Sequence, residues 1–309
     1  MKVIRGLHNL ANFNQACVAT IGNMDGVHLG HQAVLGQLAE KASVLNLPTV
    51  VILFEPQPQE FFAKDKAPAR LYRFREKLEA LRRYSVDYVL CLPFDARFAS
   101  IRADAFIRDV LVDGLGVRYL VIGDDFRFGY QREGDFSTLQ QAGKAFDFQV
   151  AKMHSYTVDG VRVSSTAIRQ ALAEGDMETA EKYIGRPFRM SGRVVRGDAR
   201  GRQIGFPTAN LLLHRNVTPV QGVFAVEVFG LEGEPVPGVA NVGTRPTVDG
   251  TKALLEVHLL DFDQTIYGKH VQVNFLNKIR SEQKFASLEE LVAQIKCDVE
   301  VAKTFHGLA

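Results

Sequence analysis

Two segments in the first half of this 309-residue chain are apolar almost without interruption, T-V-V-I-L-F at Thr49–Phe54 and Y-L-V-I-G at Tyr119–Gly123. Runs of this length, rich in β-branched residues, are typical of strands that helices cover on both faces. Between such runs, polar and apolar residues recur with a helical period, as at His31–Ala42. Strand, helix and strand in repetition predict a parallel α/β sheet, which is the strongest constraint on the fold.

The same pattern locates the individual elements of this part. The predicted strands are Cys17–Gly22, Pro48–Phe54, Asp87–Leu92, Arg118–Gly123 and Phe148–Met153, and the predicted helices include His31–Ala42 and Arg73–Arg83. A further helical segment, Ser164–Ile184, is expected to break near Gly175.

From Phe188 onward the pattern changes to short strands punctuated by Gly, Pro and Asn, which predicts a β-rich unit built as a small barrel. Its predicted strands are Met190–Val195, Val223–Phe229, Val236–Val242, Leu254–Leu260 and Val271–Phe275. The change predicts a domain boundary at Gly185-Arg186-Pro187, with domains at 1–185 and 186–309.

A closing helix is predicted from a capping box formed by Ser287 and Glu290. Its apolar stripe is expected to pack on the core. The stripe consists of Leu288, Leu291, Val292, Ile295 and Val299.

Composition excludes several classes of protein. The net charge of +2 and the lack of interleaved basic and aromatic residues disfavour a nucleic-acid-binding barrel. Three widely spaced cysteines indicate reduced thiols, and there is neither a run of about 18 apolar residues nor a signal-peptide pattern. We therefore expect a cytoplasmic protein with no membrane partner, either a monomer or a weak oligomer.

The segment G-N-M-D-G-V-H-L-G-H follows the first strand and indicates a phosphate site. Its glycines, Gly22, Gly26 and Gly30, permit a tight turn and close approach of the backbone to a ligand. A helix that starts here directs its free N–H groups at the same point.

Side chains in this segment support the same interpretation. His28 and His31 are three residues apart, so one helical turn places both on one face, where they suit a polyphosphate. Their chemistry would be attack on the α-phosphate of ATP, which depends on positioning and charge neutralisation. The glycines, the preceding buried strand and Asp25 together disfavour the alternatives of a metal pair or two solvated histidines at a helix cap.

A second segment, V-S-S-T-A-I-R, would complete the ATP site. Ser164 and Ser165 lie where a helix N-cap is expected, and Arg169 follows one turn later on the same face. Hydroxyls, cap N–H groups and a guanidinium would converge on phosphate. In isolation, the same segment would indicate only a capped helix.

The β-rich part contains a separate constellation, G-D-A-R-G-R-Q-I-G-F-P-T-A-N, from Gly197 to Asn210. Its glycines, including Gly205, and its arginines, including Arg202, suggest a phosphate-binding loop. Thr208 and Asn210 are two apart, so an extended chain points both to one side. A hydroxyl and an amide oxygen are hard ligands suited to Mg²⁺ with ATP phosphates.

Glu256 stands among apolar residues in L-E-V-H-L-L-D-F, on a predicted strand. A carboxylate there is costly unless it is paired, exposed or used. The pattern alone leaves open an ordinary outward-facing strand residue.

Taken together, these motifs resemble the bacterial bifunctional riboflavin kinase/FAD synthetases over essentially the whole chain. The H-x-G-H and S-S-T-x-x-R motifs are similar to those of the nucleotidylyltransferase superfamily. The resemblance implies a Rossmann-like N-terminal domain with a parallel sheet and a C-terminal six-stranded β-barrel with a terminal helix. It further implies that riboflavin and ATP give FMN, and that FMN and a second ATP give FAD.

The resemblance also implies roles for single residues. His28 and His31 would contact ATP phosphates, with Ser164, Thr166 and Arg169 completing that site. Glu256 would be the general base of the kinase, and Thr208 and Asn210 would bind Mg²⁺-ATP. The flavin residues implied are Asp125, Phe126 and Arg127 in G-D-D-F-R-F-G, with Arg280 either structural or close to the flavin.

Two positions depart from the family pattern. Met24 stands where Phe is usual, a conservative apolar change. Gln57 stands where many members have His, so a charged phosphate contact is not expected there.

Two alternatives remain open at this stage. One is a nucleotidylyltransferase for another phosphorylated substrate, against which the motifs at 197–210 and 255–262 argue. The other is a flavin-binding regulator without catalysis, which the joint presence of His28, His31, Thr208, Asn210 and Glu256 disfavours.

Overall fold

A computed structural model of the chain describes residues 1–197, 200–215, 217–247 and 250–308, with the side chains of all of these except 200, 202, 244–247 and 250–252. Its contacts divide the chain into two compact units. The first comprises Met1–Pro68 and Tyr72–Ser164, and the second Ala69–Leu71 and Ser165–Ala309. No helix among the described residues is long and apolar enough to cross a membrane.

The first unit is built on a six-stranded sheet in the order β1-β4-β3-β2-β5-β6, in which every paired strand is parallel. This confirms the predicted sheet. Its strands are β1 (Lys2–Arg5), β2 (Cys17–Ile21), β3 (Thr49–Glu55), β4 (Tyr88–Pro93), β5 (Val117–Gly123) and β6 (Gln149–Met153). The edge strand β1 was not predicted, since it is short and mostly exposed and so lacks an apolar run.

Helices cover both faces of this sheet. Along β2, Cys17 and Ala19 belong to one apolar cluster and Val18 to another, so successive side chains enter different cores. The α-helices are α1 (Leu29–Leu45), α2 (Pro58–Ala63), α3 (Phe74–Leu81), α4 (Ala96–Ala99), α5 (Ala103–Phe106) and α6 (Phe136–Phe146). A π-helical turn at Ile107–Val112, 3₁₀ turns at Leu7–Asn12, Lys64–Lys66 and Tyr130–Arg132, and a hairpin of β7 (Thr157–Val158) and β8 (Val161–Arg162) complete the unit.

Strand order places a crevice at the centre of the sheet. β2 pairs with β3 on one side and β5 on the other. The chain runs from β2 through β3 to β4 on one side and then crosses to β5 on the other, so the strand order reverses between β2 and β5. In open parallel sheets, ligands bind at such a switch point, outside the carboxyl ends of the strands. The loops after β2 and β5 carry the histidine and flavin motifs of the sequence.

Two helices begin the second unit, α7 (Ser165–Glu174) and α8 (Met177–Ile184). The predicted break is confirmed: Gly175 adopts φ +86°, and the Asp176 carboxylate caps α8 by accepting the N–H of Thr179 at 2.9 Å. A glycine tolerates this left-handed conformation better than any other residue.

A closed antiparallel barrel in the order β10-β13-β12-β11-β14-β9 follows these helices. Its strands are β9 (Phe188–Val195), β10 (Ala209–Leu212), β11 (Gly222–Phe229), β12 (Val236–Thr247), β13 (Gly250–Leu259) and β14 (His270–Arg280). A short helix, α9 (Arg200–Gln203), lies between β9 and β10. The six strands implied by the resemblance are therefore present. The periodicity had located five of them and missed β10, because only Leu211 of its four residues is buried.

The last helix, α10 (Leu288–Phe305), starts as predicted, with the N–H of Glu290 donating to Ser287 Oγ at 3.2 Å. Its stripe is only partly a core element. Val299 is buried, but Leu288 is 56% exposed, and Leu291 and Ile295 line a cavity. The prediction that the whole stripe packs on the core was wrong, because part of the helix faces a ligand-sized cavity.

Candidate active sites

In the first unit, the loop after β2 brings the two motif histidines into direct contact. The His28 side chain caps α1, with its Nδ1 accepting the N–H of His31 at 3.4 Å. The two rings stack with centroids 3.7 Å apart. The helix therefore starts at Leu29, two residues before the predicted start, and the helix terminus and both imidazoles point to one place.

The surroundings of His31 lower its pKa and so determine its charge. Desolvation, followed by the nearby His28 and the Lys77 cation, holds the pKa of His31 well below its usual value. The imidazole is therefore neutral at neutral pH. Its Nδ1 is buried and has no hydrogen-bond partner among the described residues.

Lys77 is the basic residue of this region that the sequence reasoning missed. It lies on α3 and its side chain is 0% exposed. Phe74 precedes it by three residues and Leu81 follows it by four, so it occupies the apolar face of its helix. The sequence did contain a signal for Lys77, namely a basic residue within the apolar stripe of a helix. Its charge contributes to the low pKa of His31.

Other residues of this loop fix its conformation. The Asp25 carboxylate is buried and accepts the N–H of Tyr72 at 2.9 Å, which ties the loop to the segment before α3. Met24 is buried in the core, as the conservative change from Phe requires. A Cβ at Gly30 would lie 3.2 Å from the His28 ring, so this glycine leaves room for the imidazole.

Across the same crevice, the loop after β5 is already held by ion pairs. Arg162 Nη2 lies 2.9 Å from Asp125 Oδ2, and Arg127 Nη1 lies 2.7 Å from Asp135 Oδ2. The Phe126 ring stacks on Phe128 at 5.5 Å. Of the three predicted flavin residues, Phe126 therefore offers an aromatic surface, while the charges of Asp125 and Arg127 have protein partners.

An aromatic cluster lies at the carboxyl ends of β3 and β4 and was not found from the sequence. The Phe54 and Phe94 ring centroids are 5.7 Å apart, and Phe62, which is 68% exposed, is also 5.7 Å from Phe94. Exposed rings in such a cluster can stack on a planar ligand.

The serine and arginine motif falls at the junction of the two units. Ser164 ends the first unit, and Ser165, Thr166 and Arg169 belong to α7 in the second. Within the second unit, Arg169 Nε donates to the carbonyl of Ala69 at 2.6 Å. One part of this guanidinium thus holds backbone, and its predicted phosphate contact stays a prediction.

The second unit contains a cavity of about 470 Å³ between the outer face of the barrel and α10. Among its lining residues are Thr208, Asn210, Asn241, Glu256, His258 and Arg280. Four predicted residues from three separate segments thus meet in one space.

Strand register explains why they meet. Asn210 on β10 and Asn241 on β12 both lie opposite Glu256 on β13. Residues opposite one another in a sheet share a face, with Cβ atoms roughly 5 Å apart. Their neighbours Leu255 and Val257 are buried inside the barrel. Glu256 faces outward, as the ordinary interpretation had it, but into a cavity.

The loop before β10 is packed tightly around these side chains. A Cβ at Gly197 would collide with the Asn210 amide, and one at Gly201 would lie 3.2 Å from Thr208 Oγ1. Gly205 adopts φ +88°, which favours glycine. The Arg202 side chain lies outside the described part of the chain.

Arg280 joins the barrel to α10. Its Nε and Nη2 lie 2.9 Å and 2.8 Å from the buried Asp298 carboxylate, and its guanidinium stands over the Phe285 ring. Arg280 therefore has a structural role, and its side chain also lines the cavity. A flavin contact stays a prediction.

The donor set of this cavity suits a hard cation carried with a nucleotide. No cluster of three or more His, Cys, Asp or Glu that could hold a metal occurs among the described residues. Thr208 and Asn210 supply oxygen atoms of the kind Mg²⁺ prefers, and phosphates and water can supply the rest.

Comparison with known proteins gives two family matches that divide the chain. The FAD synthetase family matches residues 10–167, and the riboflavin kinase family matches residues 184–306.

Full-length relatives agree with this division. The chain is 58% identical to a bifunctional riboflavin kinase/FMN adenylyltransferase of Escherichia coli K12, over 100% of this chain and 99% of the relative. Proteins of the same description in Haemophilus influenzae and Pseudomonas fluorescens are 53% and 51% identical, covering 99% and 98% of this chain and 100% and 97% of the relatives.

A similar solved structure comes from Streptococcus pneumoniae and is described as a macrolide-efflux protein. It has a TM-score of 0.83 and 32% identity, and the match covers 97% of this chain and 98% of that one.

The partly buried His31, with its lowered pKa, predicts a pH dependence of stability. Below pH ~6.5 the unfolded chain protonates this histidine while the folded protein does not, so stability falls as the pH falls. His31→Gln should lose less stability than the wild type between pH 7.5 and 5.5. The difference should approach about 1.4 kcal/mol per pH unit below pH ~6.5. Urea titrations at each pH measure it.

His8→Gln is the matched control, since His8 is exposed, and it should keep the wild-type pH dependence. An identical pH dependence in wild type and His31→Gln would contradict a neutral His31 with a lowered pKa.

Proposed function

The chain belongs to the family of bifunctional riboflavin kinase/FMN adenylyltransferases, and we propose from this membership how its two sites divide the work. The enzyme transfers the γ-phosphoryl group of ATP to riboflavin, giving FMN and ADP. It then transfers the AMP part of a second ATP to FMN, giving FAD and pyrophosphate. The boundary between the modules is proposed at residues 185 and 186.

One observation carries the placement of the kinase. Asn210 and Glu256 lie opposite each other on adjacent strands, beside Thr208, on the wall of one cavity. The Glu256 carboxylate would accept the proton of the ribityl 5′-hydroxyl as its oxygen attacks the γ-phosphorus of ATP. The bond from the γ-phosphorus to the bridging oxygen breaks, and ADP leaves.

Mg²⁺ would be held by Thr208 and Asn210 together with the ATP phosphates, and when bound it neutralises charge on the transferred group. Gly197 and Gly205 would let the loop backbone approach the phosphates, with Arg202 as a further phosphate contact. Oxygen ligands, rather than thiolate or imidazole, support this choice of ion.

The first unit would carry the adenylyl transfer. An oxygen of the FMN phosphate attacks the α-phosphorus of ATP, the bond to the β-phosphate oxygen breaks, and pyrophosphate leaves. His28 and His31 would donate hydrogen bonds to the phosphates, helped by the N-terminus of α1. The neutral His31 and the buried Lys77 support a division in which imidazoles give geometry and the ammonium gives charge.

Other contacts in this module rest on the family resemblance. Gly22, Gly26 and Gly30 would admit the triphosphate, while Ser164, Ser165, Thr166 and Arg169 would bind nucleotide. Asp25 would act by fixing the loop, given its bond to Tyr72. The flavin would lie against Phe126, with Asp125 and Arg127 beside it. We propose a cytoplasmic enzyme that acts on these small molecules without nucleic acid.

Replacing His31 should separate the two activities. His31→Ala removes a phosphate contact of the first module, so FAD formation should fall by about 10²-fold or more, as for loss of a donor that stabilises developing charge. FMN should still accumulate from riboflavin, because the barrel is untouched. Chromatography of riboflavin, FMN and FAD over time measures both steps. A folded variant that lost kinase activity first would contradict the assignment of modules.

Replacing Glu256 should do the reverse. Glu256→Gln keeps the size and polarity of the side chain but removes the base, so FMN formation should fall about 10²–10⁴-fold. FAD should still form when FMN is supplied, which serves as the control for folding. An unchanged rate of FMN formation would refute the role of Glu256 as general base.

A further inference from the structure

Two residues after Glu256, a second polar side chain of β13 enters the same cavity. Leu254, Glu256 and His258 all line it, as the two-residue period of a strand requires. The intervening Leu255 and Val257 are buried in the barrel. His258 thus stands beside the proposed general base.

The His258 ring is fixed by two contacts. Its Nδ1 lies 2.9 Å from the carbonyl oxygen of Pro207, and its ring meets Phe206 edge-on at 5.5 Å between centroids. A carbonyl oxygen can only accept, so Nδ1 carries the proton and donates. The bond fixes both the tautomer and the orientation of the ring.

The hydrogen bond between His258 and Pro207 lies just beyond the end of the β10–β13 ladder. Ala209 pairs with Val257, so the next pair would set Thr208 opposite His258, but β10 begins only at Ala209. Proline has no N–H and cannot donate to a strand ladder. The side chain of His258 therefore attaches the chain to β13 just beyond the last backbone pair.

We propose that His258 is a positioning residue of the kinase site: through the Pro207 carbonyl it holds the loop that presents Thr208 to Mg²⁺-ATP. The inference rests on the proposed riboflavin kinase activity. Since Thr208 follows Pro207 directly, loss of the bond frees the residue that would hold the metal and nucleotide. The flavin side of the reaction has no such dependence.

The test compares three substitutions at His258 in the full-length protein. Asn carries its amide at the position of Nδ1 and can still donate to Pro207, whereas Gln places its amide one bond further out, as for Nε2. His258→Ala should raise the KM for ATP of FMN formation by about 3- to 10-fold, the value of one hydrogen bond. The KM for riboflavin should stay unchanged, and His258→Asn should restore the KM for ATP.

Formation of FAD from supplied FMN, in the same preparations, is the internal control and should be equal in all variants. The inference is overturned if His258→Ala leaves the KM for ATP unchanged, or if Gln restores it and Asn does not. Equal loss of both activities with lower thermal stability would also overturn it, by showing a purely structural histidine. A wild-type protein that forms no FMN would instead refute the proposed function.

Discussion

The barrel closes through one short strand, because β10 pairs with β13 on one side and β9 on the other. Only four residues make this closure. Without it, β13 and β9 would each present an unpaired edge, which proteins avoid. The same pairing sets Asn210 opposite Glu256, so the interaction that completes the fold also assembles the proposed kinase site. In this unit, both the closure of the barrel and the proposed kinase site therefore depend on the register of β10 against β13.

In the first unit, burial determines both where a ligand can bind and which side chains are charged. A parallel sheet covered on both faces leaves only its strand ends for ligands. The loop after β2 meets this constraint by capping α1 with a histidine. Burial then keeps His31 neutral, and a buried Lys77 lies close enough to influence it. The phosphate site proposed for this unit would therefore use oriented N–H groups together with the enclosed charge of Lys77.

The sequence was sufficient for the architecture where patterns are long and regular. The apolar runs of β3 and β5 predicted buried parallel strands to within a residue or two, because both faces of each strand must be apolar. β1 and β10 were not predicted, because strands of four residues with at most one buried side chain have no apolar period to detect. Their places are fixed by hydrogen bonding to distant partners, which local sequence does not contain.

The two sites could likewise be predicted from the sequence only in part. Residues in motifs, such as His28 and Glu256, could be named from the sequence, but their surroundings could not. Leu291 and Ile295 had the spacing of core residues, yet both line a cavity, and Ile295 also packs against the core, since a helical stripe does not reveal what it faces. Lys77 and His258 lie near residues that are remote in sequence, His31 and Pro207 respectively. Only the folded chain shows those neighbours.

Labelled ATP tests most directly whether one chain performs two distinct phosphate reactions. The protein would be incubated with riboflavin, Mg²⁺ and ATP labelled at either the α- or the γ-phosphorus, and the flavins would then be separated. We expect γ-label in FMN and FAD, and α-label in FAD alone. Absence of γ-label from FMN, or of α-label from FAD, would contradict two distinct phosphate reactions in one chain.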